Sequence, residues 1–174
     1  MALLLRRRER PPVALVARLA RDERVLSWAD ATDDSAVLAT PRGVWWPDAD
    51  GPRRIPWQHI DKVVWRDGQL TVIEADVVDD LLLVDREPIS VVLTRPRDLP
   101  ATIRKRIESN IVRSELLSIA GGAVRFVARR QPGRDGVAWW ARLEAGTPDT
   151  GTVRSAVRAR LAILRAAQAE DQWR

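Results

Sequence analysis

The side chains equipped for chemistry are few and scattered. His59 is the sole histidine in 174 residues, and cysteine is absent. A His/Cys metal cluster, a thiolate nucleophile and a disulfide are thereby excluded. Acid–base work by His59 would need a partner held within hydrogen-bond reach. The run Trp57-Gln58-His59 reads as a turn instead, and a structural or exposed role is the plainer reading. Asp76, Asp79 and Asp80 suggest a cation site, but their spacing does not fit an EF-hand loop. A solvated acidic turn between strands accounts for them. Gly121-Gly122 and the Gly133–Gly136 loop match neither the P-loop nor the dinucleotide pattern. Ser114, Ser118 and Ser155 belong to no histidine–acid constellation. The expectation is no catalytic set, no metal site and no cofactor, hence no enzyme.

One local pattern points to binding. Ala123–Arg130 and Val137–Glu144 flank the loop Gln131-Pro132-Gly133-Arg134-Asp135-Gly136 and read as a β-hairpin. Strand parity sends Val124, Phe126 and Ala128 to one face, with Val137, Trp139, Ala141 and Leu143 opposite them. Arg125, Arg129, Trp140 and Arg142 then share the other face, a basic-aromatic patch expected in solvent. Two partners suit it. A protein is the first choice, with exposed strand edges able to accept a partner strand. A nucleic acid is the alternative, arginines on phosphate and Trp140 stacked on a base, although no recognised RNA- or DNA-binding signature is present. Contact with an anionic membrane through Arg6, Arg7, Arg8 and Arg10 ranks third, because a lone basic cluster binds weakly.

Charge distribution is uneven. Residues 1–94 carry 13 Lys or Arg against 16 Asp or Glu, whereas residues 95–174 carry 16 against 8. That asymmetry suits an acidic partner for the second half. Only Lys62 and Lys105 are lysines, so nearly all the positive charge is arginine, a bias that a GC-rich genome explains more readily than function. No stretch approaches a transmembrane span, and MALLLRRRER places its apolar residues before its arginines, the reverse of a secretory signal. A soluble cytoplasmic protein is expected.

The elements that must position these residues are mostly short strands. Pro11-Pro12 opens a candidate helix from Val13 to about Glu23. Strands follow at Val25–Ala31, Ala36–Thr40, Val44–Pro47, Arg53–Trp57, Lys62–Trp65, Gln69–Ala75, Leu81–Asp85 and Ile89–Thr94, with Asp67-Gly68 the strongest hairpin signal. Alternation buries at least one of Trp45 and Trp46, and Trp28, Trp57 and Trp65 read as core. Asp98 suits a helix N-cap and Pro100 its first turn. Ile103, Ile107 and Ile111 recur every four residues, extending that helix to Ile119, where Gly121-Gly122 ends it. Val153, Val157, Leu161 and Leu164 stripe a terminal helix.

The runs Val37-Leu38-Ala39-Thr40-Pro41-Arg42-Gly43-Val44-Trp45 and Arg54-Ile55-Pro56-Trp57-Gln58-His59-Ile60-Asp61-Lys62-Val63 resemble bacterial pleckstrin-homology or GRAM-type domains over residues 25–118. The chain is also similar to uncharacterised actinobacterial proteins of the same layout. The resemblance implies an α+β, PH-like antiparallel β-barrel or sandwich capped by a helix, and a binding or scaffolding module without catalysis. The expected organisation is a basic tail and N-terminal helix over 1–24, a PH-like domain over 25–119, and a C-terminal β-hairpin plus helix over 120–174, packed on it.

Overall fold

Short apolar runs broken by Pro, Gly and Asp fold as eight strands before the first long helix. The computed structural model describes residues 10–119, 121–133 and 136–171. Strands β1 (Ser27–Ala31), β2 (Ala36–Ala39), β3 (Gly43–Trp46) and β4 (Arg53–Pro56) form one antiparallel meander. β5 (Ile60–Arg66) and β6 (Gln69–Val78) form a hairpin whose two-residue loop, Asp67-Gly68, has positive φ at both positions, 51° and 79°. That is the conformation Asp-Gly was expected to supply. β7 (Leu82–Asp85) and β8 (Ile89–Arg95) line up along β6, and β8 returns to pair with β1.

Helix α2 (Leu99–Asn110) lies across the opening between these strands. Its Leu99, Ile103 and Ile107 enter one core with Val37, Val44, Trp46, Ile55, Trp57, Ile60, Leu70, Val72 and Leu93. Asp98 does occupy the N-cap position, and Pro100 the first turn. Its carboxylate, however, accepts from the Ser27 hydroxyl at 2.6 Å instead of capping backbone amides, which ties the helix start to β1.

The expected long helix is half strand. α2 ends at Asn110, and Ile111–Ile119 is strand β9. The Ile103–Ile107–Ile111 repeat hid a period-two pattern, Ile111-Arg113-Glu115-Leu117 against Val112-Ser114-Leu116-Ser118, and Gly121-Gly122 turns a hairpin. Gly121 sits at φ +91° and Gly122 at φ +159°. The C-terminal unit is therefore not a two-stranded hairpin. It is a three-stranded meander of β9, β10 (Gly122–Arg130) and β11 (Val137–Leu143), covered on one face by α3 (Gly151–Asp171).

β11 joins the earlier strands through a parallel pairing with β7, Ala141 opposite Leu82. A single mixed sheet of 11 strands results, running β4-β3-β2-β1-β8-β6-β7-β11-β10-β9 with β5 beside β6. The expected α+β class stands, but the sheet is mixed where an antiparallel barrel or sandwich was expected, and among the described residues its path does not close on itself. The N-terminal helix is also shorter than expected. α1 covers Val13–Val16 only, and Leu15 alone of its residues is buried, against Ala36 and Leu38 on the outer face of β2. Glu23 folds back to accept the Ala20 amide, which keeps the chain in a turn.

Trp46 and Trp57 are buried in the main core, and Trp65 packs at its border. Trp28 and Trp45 pack on the Leu15 cluster, so the two halves of Trp45-Trp46 serve opposite faces of β3.

Candidate functional site

The residues with most chemical potential are held by neighbours. His59 Nδ1 lies 3.2 Å from the Ala75 carbonyl. Asp76 pairs with Arg86 at 2.8 Å, Asp79 with Arg154 and Asp80 with Arg165 at 3.0 Å. Two of these arginines belong to α3, so the acidic turn fastens the terminal helix. Ser155 donates to the Gly151 carbonyl. Among the described residues no group of three or more His, Cys, Asp or Glu could hold a metal ion, and no helix is long and apolar enough to cross a membrane.

The expected basic-aromatic patch keeps its parity and loses its exposure. In the β10–β11 register Arg125 stands opposite Arg142, and Val127 opposite Trp140. Arg125, Arg129, Trp140 and Arg142 therefore do share one face. That face packs against β6 and β7, where Trp140, 5% exposed, meets Ala75, Leu83 and Val127. Arg129 is 2% exposed and donates to the carbonyls of Gln58 and Ile60, at 3.1 and 2.7 Å, and to the Asp61 carboxylate. Arg142 bridges Asp61 and Asp85 at 2.8 and 2.7 Å. Arg142 keeps 18% of its side chain exposed, and Arg125, the most open of the four, pairs with Glu144 at 2.7 Å. Burial pulls the Arg129 guanidinium below its usual range, with Asp61 opposing that pull. Arginine starts so far above neutrality that it stays charged.

The physical reason is the missing strand and the missing seam. A two-stranded hairpin leaves one face open, but β10 here is an interior strand with α3 on one face and the β6–β7 ridge on the other. The arginines neutralise Asp61 and Asp85 across that seam. They are internal ion pairs, which tie two parts of the fold together and are costly to break. The N-terminal arginines Arg6, Arg7 and Arg8 lie outside the described residues, as does Arg134 in the hairpin loop; Arg10 is exposed.

What lies open is the edge of the same meander. β9 pairs with β10 on one side, and among the described residues no strand pairs with its other side. Along its nine residues, the backbone donors and acceptors of about every second residue, those not turned toward β10, are presented at a free edge. Its aliphatic side chains are exposed as well: Leu116 at 56%, with Ile111, Val112 and Leu117 close behind. Arg113, Glu115 and Leu117 share the α3 face, because they stand opposite Ala128, Phe126 and Val124; a register shift then sets Ile111 opposite Arg129. Arg160 of α3 reaches down to Glu115 through two bonds, 2.7 and 3.0 Å. Ile163, one turn further along that flank, is 59% exposed.

The other free edges are blunted. β4 is four residues long and contains Arg53, Arg54 and Pro56, and β5 carries Asp61, Lys62 and Arg66. Charge and proline are the usual protections of a sheet edge. β9 has one arginine and one glutamate among five aliphatic residues. The alternating pattern in Ile111–Ile119 was a signal for this strand; the helical repeat of isoleucines across its start obscured it. No family model, curated protein or solved structure matches this chain.

Proposed function

We propose that the protein is a non-enzymatic binding or scaffolding module that engages another protein by adding a strand at the β9 edge. The single observation carrying this reading is the long, apolar outer edge of β9, which no strand among the described residues pairs with. An extended partner segment would find main-chain hydrogen bonds along the edge and apolar contacts on alternate positions. A PH-like reading of residues 27–110 is supported by chain order: a four-stranded meander, a second meander, then a helix that seals the core. On this reading the first half is the scaffold and the β9–β11 meander presents the interaction edge.

The nucleic-acid alternative loses its stacking platform, because Trp140 lies inside the seam. Affinity capture from lysate of the source cells, with wild type and a Leu116→Lys variant as baits, tests the reading. Nuclease-resistant recovery of a protein by wild type alone is the expected result. Equal recovery by both baits, or recovery abolished by nuclease, overturns it.

A further inference from the structure

We propose that the occupant of the β9 edge is β9 of a second copy of this chain, paired antiparallel about a two-fold axis through Ser114. This rests on the strand-addition reading above and specifies its partner.

The argument begins with symmetry. A two-fold axis perpendicular to a sheet continues that sheet and makes some residue of the edge strand oppose its own counterpart. Centring on Arg113 sets two guanidinium groups face to face, and centring on Glu115 sets two carboxylates together. Like charges directly opposite are destabilising in a sheet, and opposite charges are favourable. Centring on Ser114 places Arg113 opposite the partner's Glu115, and Glu115 opposite the partner's Arg113. The same register brings Leu116 and Leu117 across from the partner's Val112 and the partner's Ile111, where β9 carries its register shift. The aliphatic residues that β9 exposes are thus gathered on the two flanks of the axis.

The local charges fit this arrangement. Arg113 extends toward the Trp139 ring, its guanidinium carbon 6.0 Å from the centroid, and pairs with no carboxylate among the described residues. Glu115 is already oriented by Arg160, and a second guanidinium arriving from across the axis would share it. Arg113, Glu115 and α3 all lie on one face of the meander. The two terminal helices would therefore sit on the same face of the continued sheet. A sheet of 11 strands in one copy would continue without a break into the other.

Sedimentation of the full chain between about 1 and 500 µM, spanning the weak end of specific association, tests the proposal. Wild type is expected to show a monomer–dimer equilibrium. Arg113→Glu turns both cross-axis pairs into carboxylate pairs, and Glu115→Arg turns both into guanidinium pairs. Each variant alone is expected to raise the dissociation constant about tenfold or more. An equimolar mixture of the two restores opposite charges at both positions and is expected to recover the dimer. Hydrogen exchange on wild type supplies a readout free of any folding defect in the variants. β9 amides should gain protection as concentration rises while β10 amides stay unchanged.

A wild-type chain that remains monomeric throughout, or charge variants that dimerise as wild type does, overturns the self-pairing. If the chain is monomeric but Leu116→Lys still abolishes capture of another protein, only the self-pairing falls. If the chain is monomeric and Leu116→Lys captures as wild type does, the strand-addition reading falls with it.

Discussion

β9 and β10 lie side by side, each nine residues long, and each inverts the ordinary rule of burial. β10 places a guanidinium in the interior, whereas β9 holds four aliphatic side chains in water. Composition does not separate them, since both mix apolar residues with arginine. Position in the sheet does. β10 has a strand on each side, α3 above and the β6–β7 ridge below, so even Arg129 must find its partners indoors. β9 has one strand on one side and, among the described residues, no strand on the other, so its leucines stay out whatever their hydrophobicity. Burial here is a property of neighbours, and exposed apolar area is informative only where the neighbour is missing.

The largest effects should come from emptying the β10 side. Phe126 is fully buried between the meander and α3, among Leu82, Val153, Val157 and Leu161. Phe126→Ala should cost about 4 kcal/mol, from lost transfer energy and the cavity left behind. Arg129→Ala should cost about 3 kcal/mol, because it leaves the carbonyls of Gln58 and Ile60 without this donor and Asp61 with Arg142 as its remaining partner at the seam. Denaturant unfolding measures both. An Arg129→Ala loss below about 0.5 kcal/mol, the level of an ordinary surface substitution, would show the seam to be loose and would break the contrast with β9.

How much of this was legible follows from the range of each interaction. The Asp-Gly turn, the start of α2 and the stripe of α3 are local signals, readable within a few residues, and the strands between Ser27 and Arg95 were largely marked by their own punctuation. Hairpin parity was readable too, and the register pairs Arg125 with Arg142 as alternation requires. Whether that shared face met water was not. It depends on Asp61, which stands 68 positions from Arg129, and on β7 pairing in parallel with β11. β9 was missed for a different reason. Three isoleucines at a spacing of four mimic a helix stripe, although Ile111-Val112 at the junction are β-branched residues that favour a strand.

Glu23 is a second interior charge and sharpens the comparison through pH. Burial alone would push its carboxyl up. The Thr40 hydroxyl, the Ala20 amide, Arg54 and the Trp45 indole outweigh that and hold it below its usual value of 4.5. A carboxyl depressed in the folded state stabilises fully above its unfolded value and loses that contribution as pH falls through the folded one. Glu23→Gln should therefore cost about 1–2 kcal/mol at neutral pH. The difference from wild type should shrink below about pH 4.5. Thermal unfolding of both proteins between pH 7 and pH 3, scaled as about pH units across the carboxylate range, gives the two curves. Parallel curves would mean that Glu23 contributes no more than an exposed carboxylate.

The smallest effect on stability should be at β9, and its smallness is the informative part. Leu116 is more than half exposed on an edge that no other described strand pairs with. Leu116→Lys removes an apolar contact that water already touches and adds a charge that solvent can hold. Unfolding free energy of the dilute monomer should stay within about 0.5 kcal/mol of wild type. Added lysine on a strand edge is also a common device against pairing with another strand. The same substitution should therefore abolish association at the edge while leaving the monomer intact. Phe126→Ala should do the reverse, weakening the fold and affecting association only as far as the meander unfolds. Measuring stability and association on both variants separates the two roles. If Leu116→Lys instead destabilised the monomer by about 2 kcal/mol, a typical cost for a well-packed side chain, β9 would have a covering partner within its own chain, and its exposure would no longer mark an interface.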